Sequence, residues 1–486
     1  MTGLDIQFEY FSSAAADYRS QLATRIADFQ HEELPDILWG FNLTESTIHD
    51  YGEDGFLFDL TPYYEDKEKS KDFWDQLAIM DEPFQEEIIR KLKDVDTGAM
   101  YATARIEYAL IDPIDYQVYI NTSWLEKLNL KVPTTLDELH DVLVAFKTQD
   151  PNGNGLMDEI PIAGIAGGTS ANDLISWILN FFEYVDDSTK WNADDNQNIY
   201  SPYLTDKYRE GLITLNKWYS EGLLYQSMYA AKSKDLKALM NPTDGVETVG
   251  IIVDHSSLTY IDGAETMYDY DPLPLLGYAV HNAQAFNKRC YITTDCQYPD
   301  DAWRLLMAMN SDEGSKRGYY GVKGRDWDDA DPGQKSALGM DAEIKIINYV
   351  WGNNKNELWN QVNFILFYSE NEKTQIAGGE DAWGNVRVRK MADFYYAFEA
   401  AAEKNNPKYV VHSLIYSTEE KEKTADIRSN CSDAITTAQT SFITGDDQKD
   451  PANDADWQEY LNLLKSLGID TWRDQAQRLY DAQQRK

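Results

Sequence analysis

The sequence predicts an α/β protein of two lobes. Three observations carry that expectation. At 486 residues the chain is longer than one hydrophobic core is expected to grow. Its opening runs from a strand pattern through a helix pattern to a second short apolar strand, which reads as a β-α-β unit with parallel strands. Further on, strand-like runs keep giving way to helical ones, as at residues 116–121 followed by 124–128.

In chain order, residues 4–11 alternate as a strand and stop at Ser12-Ser13. A helix follows with Leu22, Ile26 and Phe29 on one face, and residues 35–39 read as a short buried strand. Binding loops of parallel sheets lie at the carboxyl ends of strands, here Ser12-Ser13 and Trp39-Gly40-Phe41-Asn42. Leu57 and Leu60, in the turn at 51–62, are expected to pack under the sheet. Residues 66–94 are charged and helical with no chemical motif, and 100–111 look like strands broken at Asp112-Pro113. Later come a helix around 174–182, an amphipathic run with Leu212, Leu215, Trp218 and Tyr219, and a strand at 250–253. Residues 291–294 read as a strand, 299–306 as a helix with proline in its first turn, and the text from about 340 on as helical. Only 445–456 looks like a flexible polar loop, and there is no short-period repeat.

Composition narrows the function. With 44 basic against 83 acidic residues, net −39, the chain lacks the clustered Lys and Arg that nucleic-acid phosphates demand. The same charge disfavours anionic membrane surfaces, and no run approaches the ~20 apolar residues that span a bilayer. No signal peptide opens the sequence. Three cysteines are too few for a disulfide scaffold or a zinc site. Cys290 and Cys296 are close enough in sequence to pair, leaving Cys431 free; reduced core thiols are the alternative. There is no Gly-rich phosphate loop, no His-Glu-x-x-His and no Gly-x-Ser-x-Gly.

The most specific stretch is Asp150-Pro151-Asn152-Gly153-Asn154-Gly155-Leu156-Met157-Asp158-Glu159. A hard cation such as Ca2+ takes about six to eight oxygens at about 2.3–2.6 Å, and a tight loop supplies them from alternate residues. Asp150, Asn152, Asn154, Asp158 and Glu159 would give side-chain oxygens, and Leu156 its carbonyl. Gly155 permits the sharp turn, since glycine takes positive φ at little cost. Pro161 stands where an EF-hand has its last glutamate, so the loop departs from that pattern. A polar turn that binds nothing is the plain alternative; a saturated cage would brace structure rather than catalyse. Just upstream, Thr135 and Glu138 form a capping box, and Leu136, Leu139, Val142, Leu143 and Phe146 one apolar stripe.

Thr134-Thr135-Leu136-Asp137-Glu138-Leu139, the helix, the loop and Glu159-Ile160-Pro161 together resemble the calcium-binding segment of extracellular solute-binding protein family 1. These are ABC-transporter carbohydrate-binding lipoproteins and include the alginate-oligosaccharide binders. The turn at 51–62, the return segment from Cys296 to Ala302, the loop at 320–327 and the end from 441 to 469 are also similar to that family. The resemblance implies a two-lobed periplasmic-binding-protein-like fold of type II, with three interlobe crossings and extra C-terminal helices. Residues 1–112 and 282–338 would form the N-terminal lobe, and 113–281 and 339–486 the C-terminal lobe, each a mainly parallel sheet. It further implies a structural Ca2+, an oligosaccharide captured between the lobes, and delivery to the transmembrane subunits of an ABC permease. Nothing would be catalysed. The resemblance places such a monomer on the extracellular face of a Gram-positive cell membrane, through a signal and lipid-attachment cysteine upstream of this sequence.

A sugar ring packs its C–H face on Trp or Tyr while its hydroxyls need planar polar partners, and 13 Trp and 32 Tyr are many. Trp218 and Trp303 fall on helical stripes and are assigned to packing. Trp39 and Asn42 after the first-lobe strand, Asp115 and Tyr116 at the first crossing, Asp254 and His255 after a second-lobe strand, Trp327 near the third crossing and Trp383 in a Gly-rich loop are the expected ligand-binding residues. For each aromatic, a partly buried loop position is the bland alternative. Net charge favours a neutral sugar, with Arg325 the notable cation in these segments. A glycoside hydrolase or lyase, or a calcium-dependent glycan-binding adhesin, would also use aromatics and acids; the many carboxylates make accidental pairs certain.

Overall fold

The computed structural model describes all residues except 1–2, 12–14, 28–33, 81, 109–116, 167–172, 186–188, 255–257, 259, 274–276, 279–285, 349–364, 368–374, 378–381, 406–408, 412–413, 415 and 485–486. The chain divides into two compact units, residues 1–110 with 284–378, and 111–283 with 379–486.

The first unit is built on a four-stranded sheet in the order Ile37–Trp39, Phe286–Ile292, Thr103–Tyr108, Ile365–Phe367. The returning strand Phe286–Ile292 lies between the two early ones and runs antiparallel to both, with Trp39 and Thr103 each opposite Cys290. The early strands are therefore parallel only across an inserted third, and the expected mainly parallel sheet is corrected to a mixed one. Residues 3–11 form no regular element, and Ile6, Phe8 and Tyr10 are exposed. Their alternation has no described partner strand to bury it. The core splits into two clusters, one around Tyr64, Phe73, Trp303 and Leu306, the other around Leu22, Leu38, Ile48 and Tyr291. Leu60 falls in the first and Leu57 in the second, both buried.

Residues 339–378 are expected in the other lobe and as helix. Instead, Ile344–Ile346 pairs with Trp327–Asp329 and Gln375–Ala377, while Ile365–Phe367 pairs with Thr103–Tyr108. Backbone pairing ties this segment to the first unit.

The second unit carries a four-stranded sheet ordered Ile160–Ala163, Val249–Asp254, Gln117–Asn121, Tyr270–Pro272. Only its first pair is parallel. Every residue of Gln117–Asn121 is buried, because helices cover both faces of a central strand. Gly250 is needed here: a Cβ would sit 2.3 Å from the Phe146 ring. Helix Leu136–Thr148 buries Leu139, Val142, Leu143 and Phe146 against this sheet, one continuous core that extends to the C-terminal helices Thr418–Thr444, Asp454–Leu467 and Ile469–Gln484. Among the described residues no helix is long and apolar enough to cross a membrane.

Candidate functional site

The loop 150–159 joins helix Leu136–Thr148 to strand Ile160–Ala163 and is shaped by its own side chains. Thr135 Oγ1 accepts from Glu138 N at 3.2 Å and starts the helix, while the Glu138 carboxylate turns back to Thr134 N and Oγ1 rather than to Thr135. Asp150, at φ 46°, accepts from Gly153 N and Gly155 N with its two carboxylate oxygens. Asn152 Oδ1 accepts from Asn154 N, and Asn154 Oδ1 from Leu156 N. Gly153 and Gly155 take φ of 75° and 78°, the left-handed turn that β-carbons resist. Asp150, Asn152 and Asn154 thus fold the loop around themselves, with Leu156 pointing to solvent at 59% exposure.

Asp158 accepts from the side-chain amides of Asn152 and Asn154 at 3.1–3.2 Å. Glu159 differs. It is buried at 8% exposure, and neither carboxylate oxygen meets a donor of normal hydrogen-bond geometry. Burial pushes its carboxyl up, and the charges of Asp150 and Asp158 add to the shift; the nearby amides of Glu159 and Asn152 only temper it. A buried carboxylate without donors calls for a proton or a cation. The donor set, all hard oxygens, fits calcium.

A second group, His49, Asp94 and Asp96, brings possible ligand atoms within 4.8 Å of one another. Here the acid is already satisfied. Asp94 Oδ1 accepts from Asp96 N, Thr97 N and Thr97 Oγ1, and Oδ2 faces His49 Nδ1 at 3.1 Å. Burial alone would raise Asp94, but these bonds outweigh it and hold the carboxyl below its ordinary value. It braces a loop.

The expected ligand residues are distributed as follows. Trp39 ends its strand, half-buried, at the edge of the first unit's core. Asn42 is exposed, and its backbone is pinned: N–H donates to Tyr18 Oη at 3.0 Å, and the carbonyl accepts from Arg19 Nε at 2.9 Å. Tyr18 and Arg19 are successive residues of helix Ala15–Ala27, and nothing in their spacing signals this contact in the sequence. Asp115, Tyr116 and His255 lie outside the described residues; Asp254 closes strand Val249–Asp254 opposite Gln117. Trp327 is in the core at 6% exposure, its Nε1 donating to Gly321 O at 3.1 Å, so its expected place on an open loop is corrected. Trp383 opens helix Trp383–Asn405 rather than lying in a loop. Its Nε1 donates to Ile261 O at 2.7 Å, and the Arg387 guanidinium stands 6.0 Å from its ring centre. Arg325 pairs with its neighbour Asp326 at 2.7 Å. Cys290, Cys296 and Cys431 are free, buried thiols.

No family model matches the chain. A fructooligosaccharide ABC transporter substrate-binding protein, FusA of Streptococcus pneumoniae, is 26% identical over 251 residues, 49% of this chain and 43% of that protein. Lipoprotein LipO of Bacillus subtilis is 28% identical over 208 residues, 42% of this chain and 36% of its own. The matches thus span under half the length of either curated relative. Solved structures match over nearly the whole chain: FusA with kestose has TM-score 0.73 at 19% identity, covering 99% of this chain and 94% of the other. The fold is that of the two-lobed solute-binding proteins. Its sequence homologues are substrate-binding proteins of ABC transporters. A FusA EF-hand mutant with fructo-nystose (TM-score 0.71, 18% identity, 96% and 91% covered) and alginate-binding AlgQ2 without calcium ion (0.66, 19%, 97% and 90%) share this fold. An EF-hand mutant of FusA and a calcium-free form of AlgQ2 thus share the architecture in which the loop 150–159 is set.

Proposed function

We propose that this chain is the ligand-capturing component of an ABC importer for oligosaccharides and performs no chemistry of its own. The observation that carries the reading is the sequence match to a fructooligosaccharide substrate-binding protein, supported by the fold. Trp39 and Trp383 are each only half-buried, and a sugar's C–H face packs on such aromatic rings. Trp39, Asn42, Asp254 and Trp383 are the candidate contacts in the described regions; His255 follows Asp254 in sequence, and Asp115 and Tyr116 precede the strand that pairs with it. Trp327 serves packing. A neutral oligosaccharide is favoured because the net charge of −39 repels polyanions, and because Arg325 is neutralised by Asp326.

Calcium, held by Asp150, Asn152, Asn154, Leu156, Asp158 and Glu159, braces the second unit, where Glu159 would gain the cation its buried oxygens lack. The partner is a membrane permease, and a lipid anchor would hold the protein at the outer face of the membrane. Calorimetry against a panel of neutral oligosaccharides, beginning with kestose and nystose, tests the reading. Binding with the ligand recovered unchanged is expected. Turnover of the ligand, or affinity for uronate oligomers alone, would overturn it.

A further inference from the structure

We propose that Glu247 and Asp269 form a proton-holding latch at one end of the second unit's sheet, making that unit firmer in mildly acidic than in alkaline medium. Strand order brings the pair together. Gln117–Asn121 runs antiparallel to both neighbours, so its last residue comes level with the first residues of Val249–Asp254 and Tyr270–Pro272. Glu247 and Asp269 sit just before those two strands.

Asn121, fully buried, links the parts: Nδ2 donates to Glu247 Oε2 at 2.7 Å, while Oδ1 accepts from Trp124 N at 3.0 Å and caps the next helix. Ser123 Oγ donates to Asp269 Oδ1, and Thr122 N donates to the Asp269 carbonyl at 2.8 Å. Asn121 and Ser123 hold the two carboxyl groups at this end of the sheet, where the charge of Asp269 opposes ionisation of Glu247 and a proton held between them relieves it. The other titratable groups facing the pair are Lys127, whose ammonium also donates to Pro151 O at 3.1 Å, and the buried phenol of Tyr270, which donates to Val249 O.

Burial, then the charge of Asp269, pushes Glu247 up to about 7, with Lys127 a weak opposing influence. A folded-state value above the ordinary 4.5 means that folding tightens proton binding. The stabilisation is complete below the ordinary value and is lost as pH rises through about 7. This is opposite in sign to the acid sensitivity of carboxylates such as Asp94.

Denaturant unfolding of the full chain between about pH 5.5 and 8, with chelator present, tests the latch without reliance on calcium. The parent midpoint should fall as pH rises across that window. Glu247→Gln keeps an acceptor for Asn121 and a donor for Asp269 but has no proton to lose, so it should match the parent at the acid end and exceed it at the alkaline end. Glu159 titrates with the same sign in both proteins, so the difference between the curves is what counts. Parallel curves, or an equal loss at both ends, would overturn the proposal. Should Glu247→Gln fail to fold, Asp269→Asn supplies a permanent donor to Glu247 while keeping an acceptor for Ser123. It must flatten the same slope, and an unchanged slope overturns the latch.

Discussion

Two inward-facing acids of the first unit and two acids of the second are completed in opposite ways, although Asp173 and Glu183 are buried acids of the second unit that donors also satisfy. In the first, Asp94 is held by three donors on one oxygen and faces His49 with the other. Asp326, 3% exposed, receives Arg325, Val322 N and Asn348 Nδ2, and the Arg325 bond holds it below its ordinary value. In the second, Glu159 is buried without a donor, and Glu247 is paired with another acid. Donors complete the first pair within the chain; the second pair is complete only with a cation or a proton. That contrast separates loops that are finished on folding from loops that respond to the medium.

The largest expected effect tests the cation side. Calcium bound only to the folded form stabilises by RT ln(1 + [L]/Kd), roughly 3–4 kcal/mol at a hundred- to a thousandfold excess over Kd. Chelation should therefore lower the melting temperature by several degrees, and Glu159→Gln, which removes the unpartnered charge, should abolish the calcium response. The metal-free variant should be no less stable than the metal-free parent, since a buried charge without donors is a cost. Calcorimetric silence with calcium, together with a melting curve indifferent to chelator, would erase the distinction between the units at this loop.

The next effect compares one aromatic from each unit. Trp39 lies at a strand end and Trp383 at a helix start. Truncating a ligand-contacting aromatic typically costs about 2 kcal/mol, near thirtyfold in Kd. Trp39→Ala should weaken oligosaccharide binding by about that factor with little loss of stability. Trp383→Ala should lose binding and melt earlier, because the indole also donates to Ile261 O and packs on the second unit's core. Unchanged affinity in Trp39→Ala would remove the first unit's candidate contact.

How much could be read beforehand depended on how local the cause is. The loop 150–159 was legible residue by residue, since its turns are made by its own Asp and Asn side chains and by glycines at positive φ. The helix before it was legible too, from Thr135 and the apolar stripe. Strand direction was not: it is set by Phe286–Ile292 returning from far along the chain to lie between two early strands. Residues 344–346 and 365–367 are too short to show a period, and their pairing partners are distant. Trp383 was misplaced because the glycines around it read as loop, whereas its carbonyl partner Ile261 lies more than a hundred residues away. Glu247 and Asp269 carry no motif; only sheet register makes them neighbours.

The smallest effect tests the donor-satisfied side, at Asp94. Its carboxyl is held below the ordinary 3.8, so its contribution is present above that value and is lost as pH falls through the lower folded one. Asp94→Asn keeps one oxygen but removes the charge that Thr97 and His49 address. A hydrogen bond contributes about 1 kcal/mol net, so the loss in unfolding free energy at neutral pH should be of that order. In strongly acid medium the parent is protonated too, and the two proteins should converge. The variant should leave the calcium response and the Glu247-dependent slope untouched, since both reside in the other unit's residues. Unfolding curves at neutral pH and in strongly acid medium measure all of this. If Asp94→Asn is indistinguishable from the parent at both, the donors around Asp94 are incidental and burial, not satisfaction, separates the two kinds of acid.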